Sequence, residues 1–317
     1  MTKLNEKKII QIFQKSMGNS KFVSEDVEFF KMGKTGMVAK VDTLVESTDI
    51  ALGMKLKDAA RKSVVACVSD FASKGVKPQY GIVSITIPRK LSVKKIKEIA
   101  IGLGRASKEF DFRFIGGDTN EGKEIVIQVS LFGLAKKIIS RKGAKINDII
   151  ISTGPFGYSA SGLKILLEKK KAKGKFMKKA KKAVYHPIPK LKFGLTNSKF
   201  FSSSMDSSDG LSATMHEMST QSKKKFVLTK LPTNQDVFEF AKTNKIEPLD
   251  LIFNGGEEYE IVATINPKFL SKIKLNARTQ KISLYEIGYV SNGAGIEYKT
   301  GSKIIRIKNK GWLHFRS

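Results

Sequence analysis

Apolar positions recur at two periods along this chain, and the changes of period divide it into elements. Leu4, Ile9, Ile10, Ile12, Phe13 and Met17 approximate one helical face, which predicts a helix over residues 4–17. A strand is expected over MVAKVDTL, Met37–Leu44. Helical spacing returns in DAARKSVVACVSDFASKG, Asp58–Gly75, whose closing glycine suits the left-handed conformation that commonly ends a helix. The run QYGIVSITIP predicts a strand stopped by Pro88, since proline cannot donate to a sheet ladder. Residues 92–110 predict a helix, DFRFIGGDT a strand running into a turn, and the alternating EIVIQVSLFGLA, Glu124–Ala135, another strand.

The stretch RKGAKIND, Arg141–Asp148, is polar, contains glycine and lacks periodicity, so a domain boundary is expected there. Beyond it the alternation resumes. DIIISTG, KFFSSSMD and EEYEIVATI predict strands; residues 159–171, GLSATMHEMS and NPKFLSKIK predict helices. The expected fold is α/β (α+β), with two mixed α/β domains over residues 1–145 and 146–317, each long enough to bury its own core. No run approaches the ~18 apolar residues of a membrane span, and MTKLNEKKIIQIF lacks the long apolar core of an export signal. The single cysteine, Cys67, is expected to be a buried helix residue. It excludes an internal disulfide and fits a reducing compartment, so a cytoplasmic location is expected.

Charge complicates this picture. Lys and Arg number 58 against 29 Asp and Glu, a formal net charge of +29. Such an excess invites a polyanion partner. Yet the basic residues are overwhelmingly Lys, whereas Arg reads base edges and forks onto phosphate, so the composition argues against nucleic acid and for a solvated surface. The densest run, EKKKAKGKFMKKAKK (Glu168–Lys182), has Phe176 as its sole aromatic and is expected to be a solvated helix face or loop; a polyanion contact is the alternative.

Against this background three glycine-flanked acidic segments stand apart: GGDTNEG (Gly116–Gly122), MDSSDGL (Met205–Leu211) and NGGEEYE (Asn254–Glu260). Magnesium prefers a few carboxylates together with substrate phosphates, and glycine lets backbone approach a polyphosphate closely. Nucleotide chemistry is therefore expected. No GxxxxGK[ST] phosphate loop is present.

Taken in order, VDTLVESTD, CVSDFASKGVKP, FIGGDT, STGPFGYSASGL, MDSSDGL, GGEEYE and GWLHF (Gly311–Phe315) resemble the thiamine-monophosphate kinases of the aminoimidazole ribonucleotide synthetase superfamily, over nearly the whole chain. The resemblance implies transfer of the γ-phosphoryl group of ATP to thiamine monophosphate, giving thiamine diphosphate. It also implies several Mg²⁺ ions, a homodimer formed through the N-terminal domain, and no catalytic side chain beyond charge-neutralising groups. By the same resemblance Asp26, Asp42, Asp70, Asp118, Asp206 and Asp209 are metal ligands. Gly117, Asp118, Arg141 and Ser208 contact ATP; Asp49, Glu257 and Trp312 contact the acceptor. Another ATP-dependent member of the superfamily is the alternative, against which GWLHF and the DTLVEST segment speak. Four positions depart from the family pattern: Glu25 for an Asp, Lys40-Val41 for Ser-Thr, Asp49 for a His, and Glu258 for an Asp.

Each site residue also has a plain structural reading. Asp70 could be a solvated helix charge, Asp118 a turn former, Asp206 and Asp209 a helix N-cap, Glu257 a charge at the start of a strand, and Trp312 a core aromatic. His186, His216 and His314 lack metal-ligand spacing and are expected to be structural.

Overall fold

The computed structural model of the protein describes residues 5–19, 23–313 and 315. Five strands, β1 (Glu28–Met32), β2 (Thr35–Val45), β3 (Pro78–Pro88), β4 (Arg113–Gly122) and β5 (Val126–Leu134), form one sheet in the order β1-β2-β5-β3-β4. All neighbours are antiparallel except β3 and β4. Along β5 Ile127, Val129 and Leu131 are buried while Gln128 and Leu134 are exposed. That period of two marks a sheet with one face covered. The opposite face carries exposed Val41, Tyr80 and Ile82.

Among the described residues this half also contains α1 (Glu6–Ser16), the single turn α2 (Glu46–Asp49), α3 (Leu56–Lys74) and α4 (Val93–Glu109). Asn5 caps α1 by accepting from the Lys8 N–H at 3.0 Å; Leu4 and His314 lie outside the described residues. Helix α3 positions the rest. It is buried on all sides, packed against α4, β2 and β5 and also against strands of the other half, and it stops at Gly75, whose φ is +67°.

The second half holds a seven-stranded sheet of β6 (Ile149–Ser152), β7 (Phe201–Ser207), β8 (Lys225–Leu228), β9 (Glu260–Ile265), β10 (Tyr285–Ser291), β11 (Ile296–Thr300) and β12 (Lys303–Arg306), in the order β12-β11-β8-β10-β6-β9-β7. Around it lie α5 (Tyr158–Leu167), α6 (Gly174–Tyr185), α7 (Leu191–Asn197), α8 (Leu211–Ser222), α9 (Gln235–Asn244), α10 (Pro248–Asn254) and α11 (Leu270–Thr279). Strand β9 is buried at every residue, between β6 and β7. Phe226, Leu211, Met215 and Ile252 belong to the main core here.

Three expectations need correction. GGDTNEG is not a turn: β4 runs straight through it, paired with β3 from Tyr80↔Arg113 to Pro88↔Gly122. The ladder offered by β3 outweighs the local turn preference of Gly and Asp, and Gly117 serves close strand approach, since a Cβ there would stand 1.9 Å from the Val83 carbonyl oxygen. The helix expected over residues 159–171 ends at Leu167, and the lysine run turns through Lys169, at φ +54°, before α6 begins. The helix expected in NPKFLSKIK opens with a 3₁₀ turn at Pro267–Phe269. In α6 Phe176 faces inward, with its ring 5.0 Å from that of Phe240 and 5.9 Å from that of Tyr158, so it is not a platform for bases.

Candidate active site

Asp70 stands in the C-terminal part of α3, Asp206 near the end of β7 and Asp26 just before β1, and their carboxylate oxygens lie within 4.8 Å of one another, all three buried. The sequence positions them through α3, whose 3.6-residue period sets Ser69, Asp70 and Ser73 on neighbouring positions of the helix, from which they meet Asp206, Lys40 and Asp26. Ser69 Oγ donates to Asp206 Oδ2 at 2.8 Å and Ser73 Oγ to Asp26 Oδ2 at 2.9 Å.

Charge in this cluster is unevenly matched. Asp26 is met by Lys74 Nζ at 2.8 Å and by Arg141, whose Nε donates to Oδ1 at 2.7 Å. Burial opposes its ionisation, but these two cations outweigh burial and hold the carboxyl at about 2. Asp206 is pushed up to about 6, by burial and then by the charge of Asp26. Asp70 is raised well above the carboxylate range by burial, and the neighbouring Asp206, Asp26 and Asp42 add to the rise. Its cationic partner is Lys40 on β2, with Nζ 2.9 Å from Asp70 Oδ2 and 3.9 Å from Asp42 Oδ2. These carboxylates exceed the positive charge that the chain places among them, and all-oxygen donors of this kind suit a hard divalent cation.

A cavity of about 520 Å³ opens beside the cluster, lined by Lys40, Asp42, Asp49, Lys62, Asp70, Asp206, Ser208, Asp209, Glu257 and Trp312 among others. Three distant segments interlock to form its wall. The Glu257 N–H donates to the Ser208 carbonyl at 2.6 Å, and Gly256 has no room for a Cβ, which would stand 2.7 Å from that oxygen. The Trp312 N–H donates to the Asp209 carbonyl at 2.9 Å, across which Gly311 passes closely. Glu257 itself sits at φ +64°, a conformation that a carboxylate side chain rarely adopts unless its surroundings hold it there.

The structure thus brings Asp26, Asp42, Asp49, Asp70, Asp206, Ser208, Asp209, Glu257 and Trp312 to one region. Trp312 is 58% exposed, so the core reading of this residue does not hold. Neither Asp206 nor Asp209 is a side-chain N-cap of α8: Gly210 occupies that position and no side chain caps the helix. Asp49 turns its carboxylate back onto the Val45 N–H, at 2.7 Å, and the Thr48 hydroxyl.

Gly117 and Asp118 are placed elsewhere. Asp118 is exposed on β4, is not a turn residue, and accepts from Asn120 Nδ2 at 2.7 Å. The register Thr43↔Gln128↔Ser84↔Asp118 puts three strand spacings, on the order of 14 Å, between it and β2. The same register places it on the face opposite Lys40 and Asp42. Arg141, expected to fork onto phosphate, instead forks onto the carboxylate of Asp26.

Sequence reasoning overlooked the buried lysines. Lys62 donates to the Asp49 carbonyl at 3.0 Å and pairs with the Glu257 carboxylate; Lys74 joins Asp26, Glu25 and the Ser204 carbonyl. The available signal was that both fall inside the helix expected over residues 58–75, which carries Val64, Val65, Val68 and Phe71, and a lysine buried with such a helix needs a partner. Cys67 is buried and its thiol meets the Val129 carbonyl, and His216 Nε2 meets the Ile307 carbonyl at 2.8 Å.

Residues 24–135 match the family model of the AIR synthase related protein, N-terminal domain. The chain is 55% identical to the thiamine-monophosphate kinase of Nitrosopumilus maritimus (strain SCM1), covering 100% of both chains, and 30% identical to that of Pyrococcus horikoshii, covering 100% of this chain and 98% of the relative. Among solved structures it resembles AaThiL complexed with AMPPCP and TMP, at 24% identity and a TM-score of 0.86 over 99% of this chain and 98% of the other, a likeness that concerns the fold.

Proposed function

The chain belongs to the thiamine-monophosphate kinase family, and from that premise we propose that the cavity between its two sheets is the kinase active site. The reaction is the ATP-dependent phosphorylation of thiamine monophosphate to thiamine diphosphate. The observation that carries the proposal is the convergence of Asp26, Asp70 and Asp206, drawn from both halves of the chain, in one buried cluster of which Asp70 and Asp206 line the cavity.

Phosphoryl transfer leaves a protein little covalent work, so alignment and charge neutralisation dominate. Mg²⁺ held by Asp26, Asp70 and Asp206, with Asp42 and Asp209 alongside, would supply the positive charge that lets two phosphate-bearing substrates approach. The chain prepares that site: Ser69 and Ser73 fix two of the carboxylates, while Lys74 and Arg141 keep Asp26 ionised. Ser208 lines the cavity just before α8, where free backbone N–H groups favour phosphate. Asp49, Glu257 and Trp312 line the acceptor side, and Lys62 ties the first two together. The terminal phosphate of thiamine monophosphate is itself an anionic nucleophile, so a general base has no task.

The proposal includes domains over residues 1–145 and 146–317 and a cytoplasmic homodimer. Among the described residues no helix is long and apolar enough to cross a membrane. The uncovered face of the first sheet, with Val41, Tyr80 and Ile82 exposed, supports pairing of two copies there. Pairing would also give Gly117 and Asp118, remote from the cavity of their own chain, a site to serve. The direct test is ADP release with thiamine monophosphate as acceptor. Acceptor-dependent release that excess EDTA abolishes reversibly is expected; undiminished release in EDTA overturns the metal assignment, and release with other phosphorylated acceptors only overturns the acceptor site.

A further inference from the structure

Lys40 lies on β2 opposite Leu131 of β5, so the alternation of the strand turns it to the covered face, as it does Asp42 two residues later, and turns Val41 away. From there its ammonium reaches Asp70 Oδ2 at 2.9 Å and stands 3.9 Å from Asp42 Oδ2. Its two neighbours in charge are used differently. Lys74 is wholly buried on Asp26, and Arg141 is engaged on the same carboxylate. Lys40 lines the cavity, its side chain 24% exposed. A positive charge bridging carboxylates from two elements, at the edge of the space where polyphosphate must lie, is the arrangement that a divalent ion makes in a phosphoryl-transfer site.

We propose that the Lys40 ammonium is a built-in cation of this active site, standing between Asp42 and Asp70 in place of one divalent ion and presenting its remaining N–H donors to the phosphates. An ammonium has three donors, so engagement with two acids leaves capacity for a phosphate oxygen. A tethered cation cannot be chelated or diluted away, and the site needs one metal ion fewer than its carboxylates would otherwise demand. This inference rests on the reading of the cluster as a metal site, and the experiment separates the two.

Bound Mn²⁺ is counted by electron paramagnetic resonance, with β,γ-methylene-ATP and thiamine monophosphate both saturating, for wild type, Lys40→Ser and Lys40→Met, after circular dichroism has confirmed folding. Lys40→Ser removes the charge and opens space, and is expected to bind one more Mn²⁺ per chain than wild type. An unchanged count in the folded serine variant overturns the role of Lys40 alone; wild type binding no Mn²⁺ at all overturns both readings. Lys40→Met removes the charge but fills the space, so its count should equal that of wild type while its Mn²⁺ dissociation constant falls by about tenfold, the competing positive charge being gone. Should the serine variant fail to fold, this shift decides: an unchanged or weaker Mn²⁺ affinity in the methionine variant overturns the proposal.

Discussion

GGDTNEG and MDSSDGL look alike on paper, each a short acidic segment beside glycine and serine or threonine, but they occupy opposite environments. The first lies along the exposed edge strand β4, where Asp118 is open to solvent. The second ends a strand buried at six of its seven residues, where Asp206 meets Asp26 and Asp70 and its carboxyl is pushed up to about 6. A carboxylate gains chemistry from its surroundings. In water Asp118 keeps its ordinary hydration, whereas burial and like charge leave Asp206 in need of a cation.

The sharpest way to break this contrast is Asp206→Asn. It should lower kcat by roughly 10²-fold or more, since a preorganised electrostatic group is lost. The melting temperature should hold or rise, because a carboxylate repelled by its neighbours has been neutralised. A variant with normal turnover and a lowered melting temperature would return the cluster to a structural role.

Asp118→Asn comes next, with an expected loss in kcat of about tenfold or more, although the residue is remote from the cavity of its own chain. If a second copy brings Asp118 to the site, mixing the Asp70→Asn and Asp118→Asn proteins raises activity above that of either alone, since half of the sites in a mixed dimer are intact. No recovery after subunit exchange, shown by a tagged chain, removes Asp118 from any shared site.

The Trp312 N–H is bonded to the Asp209 carbonyl, so the C-terminal segment is tied to the buried motif. Trp312→Ala should raise KM for thiamine monophosphate between a few-fold and roughly thirtyfold, the worth of about 0.5–2 kcal/mol for a cationic ring on an indole face. KM for ATP should not move. Equal changes in both constants would detach Trp312 from the acceptor.

The smallest effect on turnover is expected in the third acidic segment, at Glu258. Its Oε1 accepts from the Gly157 and Ser159 N–H groups at 2.7 and 3.0 Å, at the start of α5. Burial raises its carboxyl from 4.5 to about 8, against the pull of those N–H groups. Between these two values the folded state binds the proton and the unfolded state releases it, so stability falls as pH rises through this window. Glu258→Gln should flatten the dependence of melting temperature on pH between about 5 and 8 and leave kcat nearly unchanged; an identical slope in both proteins would place the charge change elsewhere.

The chain by itself determined much of this protein. Its two periods located α3, α4, β2, β3 and β5 to within a few residues, because one covered face writes apolar alternation directly into the sequence, and the glycine closing α3 marked its end. The order of seven short motifs, from VDTLVESTD to GWLHF, carried the resemblance to the family. Elements such as β8 and the hairpin of β11 and β12 were not legible, since strands of four or five residues leave too little period to recognise. Which carboxylates meet was decided only by the tertiary structure. Asp26, Asp70 and Asp206 are far apart in sequence and converge because α3 is wedged between two sheets; Asp118 is drawn away because β3 offers its ladder to the whole of β4. The lysines were only partly legible for the same reason. Among 58 basic residues nothing local sets Lys40 apart, and Lys62 and Lys74 are marked only by lying inside the helix of residues 58–75; all three acquire their roles from carboxylates that other segments deliver, where an unpaired buried charge of either sign is too costly to keep.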